Sequence, residues 1–187
     1  MKRLDRMPTY IHMTMAFMGG LWGAYSVVQW TNLGNAHTTN LIKIVLRLID
    51  GDWLEFALCV GSAFLYFLAF ALSAYWSKHS KSDLRYAVII VEAVSLAAVY
   101  FFPQNWPVYT RLYPCVFATA FQWSIFCGAQ GFNCATIFNS NNYRQFSSSF
   151  AEVYLNKDPS FRPKMKFFGC TLMVYHKCVC LLDFEGV

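Results

Sequence analysis

Five stretches of the chain are almost free of charge. Ile11–Trp30 carries none and has about 20 residues, the length that crosses the hydrocarbon of a bilayer. Phe56–Trp76 is also uncharged. Tyr86–Phe102 is interrupted only by Glu92. A turn, Pro103-Gln104-Asn105-Trp106-Pro107, leads into Leu112 to about Phe132. Phe167–Leu182 is broken by His176 and Lys177. The pattern predicts five membrane-spanning helices. The first run is too long for a signal-peptide core and lacks a small-x-small cleavage site, so it reads as a retained anchor. Gly19, Gly20 and Gly23 lie at helical spacing within it, where small residues let a neighbour approach closely.

Two further segments do not fit a span. Asn35-Ala36-His37-Thr38-Thr39-Asn40 is polar and rich in cap-forming residues. Leu41–Ile49 follows, with Lys43 and Arg47 on one face, and Asp50-Gly51-Asp52 closes it. Nine residues make about 13 Å of helix, half a bilayer. Three readings stay open: a surface amphipathic helix, a re-entrant half-helix whose capped start at Thr38-Thr39-Asn40 points to the bilayer middle, or a charged span. The second segment opens at Phe138-Asn139-Ser140-Asn141-Asn142. Tyr143, Phe146, Phe150 and Tyr154 then recur at helical spacing, opposite Arg144, Gln145, Ser147, Ser148 and Glu152. The two align without a gap at an offset of 102: His37 meets Asn139, Ile44 meets Phe146, Leu48 meets Phe150 and Asp50 meets Glu152. Over residues 11–50 the identities are Ala16/Ala118 and Asn40/Asn142. Residues 1–187 are thus expected to form a single membrane domain. It would hold a first repeat-like unit, 11–76, and a second, truncated one, 112–182.

Charge sets the orientation. Lys2, Arg3 and Arg6, then Lys78, Lys81 and Arg85, then Arg144, Lys157, Arg162, Lys164 and Lys166 fall between runs that would share one side. The positive-inside rule makes that side cytoplasmic. Lys43, Arg47 and Arg111 fall outside or at the boundary. Residues 31–55 should then not cross, which puts the two short helices on opposite sides, as in an inverted repeat. Composition agrees. Charged residues are 13% of the chain, about half the usual share, while apolar types are 57% and aromatics 19%. The net charge of +5 therefore speaks of membrane orientation, not of nucleic acid. Seven cysteines include no Cys-x-x-Cys, and most lie in apolar runs. Neither a disulfide framework nor a zinc site is expected. His12, His37, His79 and His176 share no ligand spacing, so no metal and no cofactor are expected.

Glu92 lies near the middle of the third run, where a charge costs roughly 2.5–3.5 kcal/mol on insertion scales. It is either a proton-coupling carboxyl or a protonated side chain tying helices together. Gln122 in the fourth run is a candidate binding residue, or a helix-tying amide. His37 could titrate near neutral pH, but reads rather as an exposed loop residue. No catalytic motif is present, so no enzyme is expected. An intramembrane enzyme would need a second ionisable group beside Glu92, with His37 and His176 as candidates.

Gly19-Gly20-Leu21-Trp22-Gly23-Ala24-Tyr25, Ala36-His37-Thr38-Thr39-Asn40-Leu41 and Gly51-Asp52-Trp53 resemble the first half of the YoaK-like family of bacterial transmembrane proteins, a domain-of-unknown-function family. Gln122-Trp123, Gly131-Phe132 and Ala135 through Gln145 resemble its second half. Many members carry a Thr-Gly-Asn-like motif in each half, where this chain has Thr39-Asn40 and Asn141-Asn142. The Asp of the relatives' first glycine motif is missing here. Relatives continue past this C-terminus with at least one more span, which implies a C-terminally shortened member. The expectation is an all-α polytopic membrane helix bundle, with about five spans plus two short half-membrane or interfacial helices. It would sit in the bacterial cytoplasmic membrane with the N-terminus inside. The expected role is a small-solute transporter, with Thr38, Thr39, Asn40, Ser140, Asn141, Asn142 and Gln122 around a polar or anionic solute and Glu92 coupling protons. A non-transport scaffold or partner-binding subunit is the alternative. The bilayer is the expected partner, and oligomerisation stays open.

Overall fold

The computed structural model describes residues 7–30, 37–80, 82–103 and 105–182. The basic head with Lys2, Arg3 and Arg6, the stretch through Asn35 and Ala36, Lys81, Gln104 and residues 183–187 lie outside it. So do the side chains of 29, 30 and 179–182, Cys180 among them.

The elements run α1 (Thr9–Trp30), α2 (His37–Asp50), α3 (Trp53–His79), α4 (Leu84–Phe101), α5 (Val108–Ile125), β1 (Gly128–Ala129), β2 (Phe132–Asn133), α6 (Ser140–Tyr154) and α7 (Arg162–Leu182). The chain is an all-α bundle with one two-stranded hairpin. Boundaries follow local chemistry. Gly51, at φ +74°, ends α2 with the Asp52 N–H returned to the Arg47 carbonyl at 3.1 Å. Asp52 then caps α3 by accepting from the Glu55 N–H at 3.1 Å. Asp83 caps α4 and binds the Arg85 side chain, whose guanidinium holds the Asp83 carboxyl below the usual aspartate range.

The fourth apolar run does not stay helical to Phe132. It ends at Ile125 and folds into the hairpin, with Gly128 opposite Asn133 and Ala129 opposite Phe132. Gln130 and Gly131 both have positive φ, 54° and 77°, the geometry of a two-residue type I′ turn. An uncharged sequence hid this break.

α3 and α4 are the two described helices both long and apolar enough to cross a membrane. Only 28% and 22% of their spanning windows are buried in the protein. A core helix of a soluble domain would be mostly covered, so these two present their apolar sides outward, as lipid-facing helices do.

The chain packs as two compact units, one from Tyr25 to Ile125 and one from the residues up to Ala24 together with those from Phe126 onward. In the first, α2 and α5 pack on α3, and α4 packs on α5. The covered stripes are narrow: Cys59, Ser62, Tyr66, Ala69 and Ser73 on α3, and Val88, Glu92, Ser95 and Val99 on α4. Gly61 lets Tyr113 come close enough to donate its hydroxyl to the Leu58 carbonyl at 2.9 Å. In the second unit, α6 packs on α7, and Ala129, Cys134, Phe167 and Phe168 form a buried cluster. The glycines of α1 act there as expected. A Cβ on Gly19 would run into the Thr136 carbonyl, and one on Gly20 into the Tyr175 carbonyl and the Cys178 sulfur.

Candidate functional site

The interior of the first unit is mostly apolar but holds several polar side chains. Glu92 is 4% exposed, and its Oε1 has no hydrogen-bond partner. Ser95 follows one turn on, also buried. Across from them on α5, Cys115 is fully buried and within electrostatic reach of Glu92. The Thr119 hydroxyl donates to the Cys115 carbonyl at 2.7 Å, and Gln122 is fully buried one turn further. A bare carboxylate in such a place is costly. Burial of this kind favours a neutral carboxyl or one paired with a cation.

α2 supplies a second polar stripe to the same unit. His37 is not a loop residue. It opens the helix, half-buried, and stacks on the Tyr66 ring at 4.2 Å and 4°. The Asn40 amide donates to the Cys59 carbonyl at 3.0 Å. The Lys43 ammonium stands 5.5 Å from the centre of the Tyr109 ring. The Arg47 guanidinium pairs with Glu55 at 2.6 Å.

In the second unit, Asn142 is fully buried. Its amide donates to the Ala135 carbonyl at 2.7 Å, and its Oδ1 accepts from the Cys134 thiol at 3.3 Å. Asn139 precedes α6 but makes no side-chain cap, so the cap-rich stretch does not close the helix start as its composition suggests. Its amide instead faces His176 Nε2 at 3.4 Å. His12, which spacing alone gave no role, is fully buried on the Phe167 ring at 5.4 Å with neither ring nitrogen hydrogen-bonded.

The sequence of this chain from residue 11 to 179 matches the profile of a family described as protein of unknown function, DUF1275. The chain belongs to the DUF1275 family. DUF1275 comprises YoaK-like membrane proteins, which agrees with the outward apolar faces of α3 and α4. No curated protein and no solved structure matches the chain.

In this DUF1275 protein the expected site residues divide between the units. Thr38, Thr39, Asn40, Glu92 and Gln122 lie in the first. Ser140, Asn141 and Asn142 lie in the second. Thr38, Thr39, Ser140 and Asn141 are exposed, and Asn141 accepts from Arg144 at 3.0 Å. Asn40 and Asn142, the aligned pair, do the same work: each spends its amide on a main-chain carbonyl. That tethers each short helix, and Glu92, Gln122 and Asn142 are the fully or nearly fully buried members of the expected set. No cluster of three or more metal-ligating side chains occurs among the described residues. Lys43 and His12 were missed because neither motif nor spacing tells which way a side chain turns.

Proposed function

We propose that this protein is a small-solute transporter of the bacterial cytoplasmic membrane. Its N-terminus is inside, it carries a polar or anionic solute, and it couples transport to protons through Glu92. The observation that carries this reading is the unpartnered, 4%-exposed Glu92 carboxyl in a bundle whose outward faces are apolar. Intramembrane carboxyls of this kind mark ion and proton paths. The inward Lys43 favours an anionic solute over a neutral one. The composition of the two units also supports an inverted repeat. The opening helix of each copy falls with the later helices of the other: α1 up to Ala24 shares a unit with α6 and α7 and meets α7 at Gly20, and α5 shares a unit with α2 and α3 and packs on α3. Repeats related by inverted topology are common among secondary transporters.

Two experiments test the reading. Reporter fusions after Asn35 and after Asn139 should fall on opposite sides of the membrane. The same side for both would remove the inverted repeat. In proteoliposomes with a pH dye inside, a panel of small carboxylates and phosphates should include one whose gradient drives proton flux, and Glu92→Gln should abolish that flux. Proton flux unchanged in Glu92→Gln would reject the coupling role. Failure of every solute, with the fusions on one side, would leave a membrane scaffold or partner-binding subunit.

A further inference from the structure

α2 is built inside out. Its half-buried residues are His37, Asn40, Lys43, Ile44 and Arg47, a series that lies on one helical face. Four of the five are polar, and their partners are on α3 and α5: Tyr66, the Cys59 carbonyl, Tyr109 and Glu55. Leu41, Ile42, Val45, Leu46, Leu48 and Ile49 are all exposed, Ile49 by 75%. Outward polar side chains are confined to the ends, Thr38 and Thr39 at one and Asp50 at the other.

A helix lying on a membrane surface does the opposite. It sends lysine and arginine to water and its apolar face down to the acyl boundary, away from the polar side. A helix folded against a soluble core also turns its apolar stripe inward. We infer that the outward face of α2 is covered by lipid acyl chains. On this reading α2, despite two cations in its sequence, is a lipid-facing wall at hydrocarbon depth, with His37, Asn40, Lys43 and Arg47 lining its inner side. Lipid is favoured over a second copy because the exposure is a girdle and not a patch. The same unit exposes Val60, Phe64 and Phe67 on α3, and Ile89, Ile90 and Val94 on α4. α6 differs in kind. Its outward residues mix Arg144, Ser147 and Ser148 with Tyr143, Phe150 and Tyr154, the composition of an interfacial helix. The inference is independent of transport, since a scaffold could be built the same way.

The test uses the full-length protein reconstituted in phosphatidylcholine vesicles that contain a phospholipid with a diazirine at mid-chain. After photolysis, mass spectrometry locates the adducts. Adducts on Leu41, Ile42, Val45 or Leu46, at a yield matching Phe64 and Phe67 of α3 and well above Ser147 and Ser148 of α6, are expected. A parallel hydroxyl-radical footprint should show loss of oxidation on the same α2 residues. Oxidation of α2 without acyl-chain adducts would overturn the inference and return α2 to the surface. Neither mark, with α2–α2 cross-links between copies, would also overturn it, in favour of a dimer face.

Discussion

Replacing Glu92 by leucine separates a coupling carboxyl from a structural tie. The side chain is 4% exposed with Oε1 unpartnered, and it lies on a stripe otherwise made of Val88, Ser95 and Val99. A buried polar atom without a partner costs about 1–3 kcal/mol. Leucine is of similar size and removes that cost, so Glu92→Leu should stabilise the protein by about 1–3 kcal/mol. For a chain of this length each kcal/mol moves the midpoint by about 2–4 °C. The rise should therefore be about 2–12 °C, read by tryptophan fluorescence of the detergent-solubilised protein on heating. Proton-coupled flux should vanish in the same variant, since the carboxyl that would carry the proton is gone. A fall in the midpoint would refute the reasoning. It would mean that Glu92 holds a neighbouring helix through a hydrogen bond, the tie that the sequence left open.

Asn142→Ala should lower the midpoint, with a loss of about 2–4 kcal/mol, because it removes the amide donor to the Ala135 carbonyl and leaves a gap where a fully buried side chain stood. If the midpoint is unchanged and only solute affinity falls, Asn142 contacts solute instead of anchoring α6. Gly20→Leu should destabilise by at least 1–3 kcal/mol, roughly the cost of overpacking, because its side chain meets the Tyr175 carbonyl, which cannot move away cheaply. An unchanged midpoint for that variant, by the same fluorescence measurement, would mean that α1 and α7 are not in contact.

Much of the helix map was legible. The uncharged runs became α1, α3, α4, α5 and α7, and both short segments became helices, α2 at His37–Asp50 and α6 at Ser140–Tyr154. Period and local turn residues carry that information. The hairpin after Ile125 was hidden because a Gln-Gly turn inside an apolar run changes neither charge nor hydropathy much. The site was legible only in part. A buried glutamate in an apolar run announces itself by its cost. The aligned asparagines look like binding residues in the sequence; the structure adds that each donates its amide to a main-chain carbonyl, Cys59 and Ala135. Amphipathic spacing in α2 was readable too, but period identifies two faces without saying which one meets the protein. His37 against Tyr66 and Lys43 against Tyr109 are tertiary facts with no local trace.

The second unit is assembled from the two ends of the chain, and this orders its birth. Unit Tyr25–Ile125 is continuous and can close as it leaves the ribosome. α1 is made first, yet the residues its glycines pack against, Thr136 and Tyr175, come more than a hundred positions later. At about 5–20 residues per second that is a wait of about 5–20 s or longer. During it, Gly19, Gly20 and the imidazole of His12 lack the neighbours that cover them in the finished fold. α1 is thus made well before the residues it packs against, and its place in the second unit is completed only once α7 has followed.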